Sequence, residues 1–336
     1  MTDLREMPDP APLMALSTAY WGAQTLLTAN RLGLFALLDG RRLAAPAVAV
    51  ELGTAERQTR LLLNACVGLG LLERGDDGYG NGPLAQAFLV PGRPGFLGDA
   101  LRYSDDLYAT WGRLGEALAS GRPQLPAEDY LGRDADQTRH FVRGMHDRAL
   151  AIGRALVSIV DLSGRRRLLD LGGGPGTYSA LFAQRHADLQ ATVLDLPDVV
   201  AIAGEIIAEL GVADRVGTLA GDYKAMDLPG GNDVVLISGV FHRETEARCR
   251  DLIARARDAL VPGGLLVASD VFTDAGGSQP AFAALFGLNM MLTAEDGGVH
   301  SDADVASWLL DAGLDGIERQ PFPPPMPHRV VMGVRP

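Results

Sequence analysis

Apolar side chains recur through the first hundred residues at the spacing of a helix. Leu13, Leu16, Tyr20, Ala23 and Leu27 step by three and four, which places them on one helical face. Gly33 opens a short helix, LFALLDG, and residues 47–52 predict another that Gly53 closes. Thr54 stands where an N-cap is expected, with Arg57 at its third helical position instead of the acid of a capping box. A longer helix is predicted through RQTRLLLNACVGLGLL. The segment ERGDDGYGNGPLAQAFLV gathers its turn residues between Gly75 and Gly82 and predicts two strands around a turn. Helices followed by a hairpin form a winged-helix pattern.

Residues 96–135 are punctuated by glycine and proline and predict one helix over 108–120. A long helix is expected over 134–161, with Phe141, Met145, Ala149, Ile152, Leu156 and Ile159 on one stripe and Ser163-Gly164 ending it. From Arg165 the period changes. The runs RLLDL, ATVLDL, RVGTLAGD, DVVLIS and GLLVASD are short, nearly continuous in apolar residues and separated by helical stretches, which predicts a parallel sheet covered on both faces. Two further strands, around Ile317 and over 329–334, are joined by PFPPPMPH with no helix between them, so that pair is expected to be antiparallel.

Composition narrows the function classes. The chain of 336 residues is 47% hydrophobic and 21% charged, with a net charge of −12. It is long enough for two domains and has ordinary globular composition. The first hundred residues hold 8 Arg and 10 Asp+Glu, a net of −2, which opposes a nucleic-acid role for the winged helix and favours packing and dimerisation. Cys66 and Cys249 are far apart, with no CxxC and no neighbouring His at ligand spacing, so neither a disulfide framework nor a structural zinc site is expected. MTDLREMPDP has no apolar core for a secretory leader, and no apolar run is long enough to span a bilayer. A cytoplasmic protein with no membrane or nucleic-acid partner is expected. Lys224 is the only lysine in the chain.

The first strand of the second part runs into Asp170-Leu-Gly-Gly-Gly-Pro-Gly-Thr-Tyr178. Glycines allow a tight turn and close approach of a ligand at the carboxyl edge of such a sheet. The dinucleotide pattern GxGxxG fails, because Thr177 or Ser179 stands where its third glycine is required, and no GK[ST] follows for a phosphate loop. Asp170, Asp195 and Asp222 close the first three strands. Asp195 follows the loop by about twenty residues, where a carboxylate can accept from ribose hydroxyls. Acids there suit a cofactor that carries positive charge and no phosphate.

DLGGGPGTYS, VLDLPDVV, GDY, ISGVFHRE and LVPGGLLVASD, in this order, resemble the motifs of class I S-adenosylmethionine-dependent methyltransferases. More narrowly the chain resembles small-molecule O-methyltransferases with an N-terminal winged-helix dimerisation domain, and the resemblance covers nearly all of it. It implies an α/β fold with a seven-stranded Rossmann-like sheet, order 3-2-1-4-5-7-6 and strand seven antiparallel. The implied domains are 1–95 for dimerisation, 96–163 as a helical connector contributing to the substrate pocket, and 164–336 for catalysis. The implied cofactor is S-adenosylmethionine, with S-adenosylhomocysteine as product, and the implied assembly is a homodimer.

By the same resemblance Gly172 and Gly174 line the methionine part of the cofactor beside Asp170, Asp195 and Leu196 the ribose, Asp222 with Tyr223 the adenine, and Ser238 the sulfonium. His242 is the implied general base, although Arg243 and Glu244 follow it where family members commonly carry Asp-Trp. Neighbouring parallel strands lie ~4.8 Å apart, so Asp270, at the end of the fifth strand, is expected to orient His242. No metal is expected. Phe141, Met145, His146, Asn289, Met290 and His300 are candidate pocket residues for an aromatic or polyketide-like acceptor, with Tyr103, Tyr108 and Trp111 at its entrance. His140, His186 and His328 are expected to be structural or on the surface. Two other readings remain at this point: an N- or C-methyltransferase or a non-methylating enzyme of the same fold, and a winged-helix transcriptional regulator.

Overall fold

The computed structural model describes residues 8–93, 95–126, 134–324 and 326–336. Residues 1–7, residues 127–133 of the connector and Pro325 of the proline-rich link lie outside the described residues. The chain forms two compact units, Met1–Asp106 and Leu107–Pro336. The division falls inside the segment read as connector.

In the first unit, α1 (Ala11–Arg31) is one continuous helix. Gly33, at φ 73°, turns the chain into α2 (Leu34–Leu37), and α3 (Ala45–Leu52) ends on Gly53 at φ 63°. Thr54 is not the cap expected: α4 (Glu56–Gly68) begins after Ala55 without a side-chain cap, and the Thr54 hydroxyl shares a 2.6 Å hydrogen bond with that of Thr59. The hairpin forms from β1 (Leu72–Gly75) and β2 (Gly78–Asn81). Glycine is required at position 78, where φ is 117° and a Cβ would stand 2.4 Å from the Leu43 carbonyl oxygen. The rest of the segment read as a wing is instead α5 (Pro83–Phe88), started by proline at its first turn. Leu34, Phe35, Leu38, Val48, Leu63, Leu72 and Tyr79 make the core. The outer half of α1 leaves that core: Leu16 is 77% exposed and Trp21 61%.

The helix expected over 108–120 is two. α6 (Gly98–Trp111), which crosses the division between the units, ends before Gly112-Arg113, and α7 (Leu114–Ser120) follows. α8 (Ala135–Ile159) is capped by Asp134, whose Oδ1 accepts from the N–H groups of Asp136 and Gln137 at 2.8 and 3.2 Å. Then β3 (Arg167–Leu171), α9 (Thr177–Arg185), β4 (Gln190–Asp195), α10 (Pro197–Glu209), β5 (Val216–Ala220), β6 (Asn232–Ser238), α11 (Glu246–Ala259), β7 (Leu260–Asp270), α12 (Ala281–Thr293), α13 (Asp302–Asp311), β8 (Asp315–Pro321) and β9 (Arg329–Val334) complete the chain.

The sheet order is β5-β4-β3-β6-β7-β9-β8, parallel except for β9, which runs antiparallel to both its neighbours. The period of two along each strand explains its two-faced burial. Leu168, Val193, Val234, Leu236 and Val267 meet α8, α9 and α10, while Leu169, Leu171, Val235, Ile237 and Leu266 meet α11 and α13. Residues 261–264 lie within β7, where pairing to β6 jumps from Leu260–Asn232 to Leu265–Val234. No helix among the described residues is long and apolar enough to cross a membrane.

Leu169, fully buried in the central strand, is the sensitive point of this core. Leu169→Ala is expected to lower stability by about 2–5 kcal/mol, read as a fall in Tm by thermal denaturation.

Candidate active site

The carboxyl ends of β3, β4, β6 and β7 converge on one edge, and the polar residues expected there assemble. β3 delivers Asp170 and the glycine loop. Gly172, Gly174 and Gly176 all hold positive φ. A Cβ on Gly172 would stand 2.8 Å from Val240 and 3.4 Å from the Tyr223 ring, and one on Gly173 2.7 Å from the Asp170 carboxyl. At Gly174 the same direction is open, leaving a cradle beside Asp195. The Gly174 N–H donates to Asp195 Oδ2 at 2.8 Å, and the N–H of Leu196, an exposed residue, donates to Oδ1 at 2.7 Å. Burial still raises the Asp195 carboxyl above its ordinary value against these two donors.

Asp170 is wholly enclosed. Ser179 donates to its Oδ2 at 2.7 Å, while Oδ1 is buried without a hydrogen-bond partner. Burial pushes the carboxyl up to about 7, opposed by Ser179 and aided by the charge of Asp195. Asp222 is exposed and accepts from the Lys224 N–H at 2.8 Å. Ser238, at the end of β6, hydrogen-bonds the Tyr178 hydroxyl, and burial raises that phenol, with the charges of Asp170 and Asp270 adding to it. The residues present fit S-adenosylmethionine. Carboxylates, an open glycine cradle and hydroxyls suit a cationic adenosyl group, and no basic side chain stands on this loop for a pyrophosphate.

His242 lies in the 3-10 turn Phe241–Arg243, just past β6. Its Nδ1 is 2.7 Å from Asp270 Oδ1, and its backbone N–H reaches Oδ2 at 3.3 Å. Burial raises the Asp270 carboxyl, but the imidazole and the N–H groups of Val271 and His242 outweigh it and hold it below the usual carboxylate range. An ionised Asp270 therefore accepts the Nδ1 proton and leaves Nε2 as the basic nitrogen. The imidazole and the Phe286 ring meet edge to face, with centroids 5.0 Å apart at 76°, and Phe286 stacks on Phe282.

The other expected pocket residues scatter. Asn289 accepts from the Trp111 indole N–H at 2.8 Å, which ties α12 to the end of α6. Met290 is buried and Met145 half-buried. Phe141 packs against Val142, Val199, Ile202 and Ile206 between α8 and α10. His146 Nδ1 lies 2.8 Å from the Thr177 hydroxyl at the start of α9, and burial lowers the imidazole's pKa. His300 holds the turn itself: its Nε2 donates to the carbonyls of Phe241 at 3.1 Å and Glu244 at 3.0 Å. Tyr103 lies in the first unit, whereas Tyr108 and Trp111 lie in the second.

Four residues enter that the sequence reading gave no role in the site. Phe286 precedes Asn289 by three positions and follows Phe282 by four, a helical spacing that was legible. Tyr178 sits inside the recognised glycine motif. His328 comes to the dyad through β9, whose Arg329 pairs with Asp270; burial lowers its imidazole, with Asp270 opposing and His242 assisting. Glu244, just past the turn, is buried. Among the described residues, no group of three His, Cys, Asp or Glu is placed to hold a metal ion.

A family model for the O-methyltransferase domain matches residues 111–315, and one for the O-methyltransferase dimerisation domain matches residues 14–91. The chain is 37% identical to a 3-hydroxy-5-methyl-1-naphthoate 3-O-methyltransferase of Streptomyces sahachiroi, over 97% of this chain and 95% of that one. It is 33% identical to the tetracenomycin polyketide synthesis 8-O-methyl transferase TcmO of Streptomyces glaucescens, over 94% and 95%. Human N-acetylserotonin methyltransferase in complex with SAM superposes with a TM-score of 0.87 at 25% identity, covering 98% of this chain and 99% of that one.

The enclosed Asp170 gives the site a stability signature. A carboxyl whose folded pKa is raised stabilises the fold fully below its unfolded value, near 3.9, and that stability is lost as pH rises through about 7. In protein free of cofactor, melting temperature should fall from pH 4 to pH 7 and then level off, and Asp170→Asn should remove that fall. Parallel pH profiles of the two proteins by scanning calorimetry check it.

Proposed function

Because the chain belongs to the O-methyltransferase family that joins a dimerisation domain to a methyltransferase domain, we propose that it methylates a hydroxyl of an aromatic, polyketide-like small molecule from S-adenosylmethionine, with His242 as general base. The observation that carries this is the His242–Asp270 pair at 2.7 Å on the turn that Val240 packs against the glycine loop. Support for the acceptor class comes from the naphthoate and tetracenomycin relatives. The cofactor, when bound, supplies an electrophilic methyl group. Gly172, Gly174, Asp195 and Leu196, Asp222 and Tyr223, and Ser238 are the residues assigned to hold it.

His242 Nε2 takes the proton of the acceptor hydroxyl, and Asp270 fixes the tautomer and stabilises the imidazolium. Phe286 and Phe282 offer flat apolar surface to an aromatic ring, and the bridge from Trp111 to Asn289 steadies the helix that carries them. Holding the two reactants in line is worth up to ~7–11 kcal/mol in favourable systems, and a placed base adds roughly 10²–10⁴-fold. This account needs no metal. The buried, free thiols of Cys66 and Cys249 suit a reducing, cytoplasmic setting.

Incubation with labelled S-adenosylmethionine and a panel of hydroxynaphthoates and other phenols, read by mass, tests the reaction; no methylated product on any of them overturns it. With a neutral phenol, His242→Ala should slow methyl transfer roughly 10²–10⁴-fold while calorimetric affinity for S-adenosylhomocysteine stays near native. Asp270→Asn should also slow it. Full activity of His242→Ala would remove the base.

The matched dimerisation domain and the bare apolar face of α1 support a homodimer built through that helix. Light scattering of the native chain should give twice the monomer mass. Leu16→Glu with Trp21→Glu should shift the equilibrium to monomer.

A further inference from the structure

Glu244 is a buried carboxylate outside the proposed chemistry. Its side chain is 2% exposed. Oε1 accepts from the Tyr223 hydroxyl at 2.8 Å and pairs with Lys224 Nζ at 2.6 Å, while Oε2 is buried with no hydrogen bond and Arg248 Nε stands 4.0 Å away. Only the carboxylate of this pair is buried; burying a charge costs desolvation that the pairing offsets only in part, and removing the cation strands the carboxylate. Such a pair is better suited to fixing a unique geometry than to raising stability.

The contacts around it run unbroken from the glycine loop to the base. The Tyr223 ring packs 3.4 Å from where a Gly172 Cβ would stand, and Arg255 holds the Tyr223 carbonyl at 2.7 Å. The Tyr223 hydroxyl and Lys224 grip Glu244. The Glu244 N–H donates to the Phe241 carbonyl at 3.1 Å, closing the 3-10 turn, and His300 Nε2 binds the carbonyls at both ends of that turn. His242 is inside the turn, fixed on its far side by Asp270.

We propose that Glu244, gripped by Tyr223 and Lys224, is a positioning residue that couples occupation of the cofactor site to the placement of His242. The inference rests on the reading of His242 as base and of Tyr223 as part of the cofactor site. A ligand that settles on the Asp222–Tyr223 segment orders the two side chains that hold Glu244, and through the closed turn it sets the imidazole against the acceptor.

Glu244→Gln tests this, since the amide keeps the size and the Tyr223 hydrogen bond but loses the charge that holds Lys224. In native protein carrying carbon-13-labelled histidine, the His242 imidazole resonance, identified by its loss in His242→Ala, should shift when S-adenosylhomocysteine is added. In Glu244→Gln that shift should shrink. Methyl transfer to 3-hydroxy-1-naphthoate, whose hydroxyl is neutral, should slow about tenfold, and transfer to its 4-nitro analogue, already ionised at pH 8, should change less than about twofold. A native shift in Glu244→Gln, or equal slowing on both acceptors, overturns the proposal. If Glu244→Gln does not fold, Tyr223→Phe, which removes one hydrogen bond, is held to the same two outcomes. His242→Ala run alongside separates the layers: if it too slows both acceptors equally, the base assignment falls and the inference with it.

Discussion

Strands that must be apolar on both faces can show polar groups only at their ends. β3, β6 and β7 obey that constraint, with helices packed on either side. Because they are parallel, their carboxyl ends meet at one edge, and the residues freed from packing there are Asp170, Ser238 and Asp270. β4 adds Asp195 at the same edge. The site thus follows from the sheet, and two of its acids, Asp170 and Asp270, are buried there. That origin also explains the divergent states of the acids. Asp170, with a hydroxyl donor to one oxygen and nothing to the other, is driven toward its neutral form, while Asp270, beside an imidazole and two N–H groups, stays charged.

Much of this was legible in the residues. The change from a period of three and four to short apolar runs located the strands of the sheet to within a few positions, most sharply β3, β6, β7 and β9, where burial on both faces leaves little room for ambiguity. The match between Gly174 and Asp195 was legible because chain length between a glycine loop and the next strand end is set by one helix and one strand. His242 and Asp270 met for the same reason, one being the next polar residue past β6 and the other the last residue of β7.

What was missed is instructive in physical terms. The cap at Thr54 failed because its hydroxyl found Thr59, and Pro83 turned half of an expected strand pair into a helix. Glu244, Tyr223 and Lys224 come from loops separated by a whole strand, so no period in the sequence links them, and their pairing depends on how two turns face each other. His300 was read as a wall of the pocket, while the structure has it clasping the backbone of the turn that carries His242. A histidine near a site in sequence says nothing of whether its ring or its neighbours' carbonyls will claim its proton.

Lys224 is the only ε-amine in the chain and is half exposed. Amine-directed chemistry therefore has one side-chain target here, and it is the ammonium that neutralises the carboxylate beneath the turn of His242. Acylation, biotinylation or coupling to an activated support, which on most proteins spreads harmlessly over the surface, would here seize the molecule by its own centre. The arginines that supply every other fixed cation would be left untouched by such reagents.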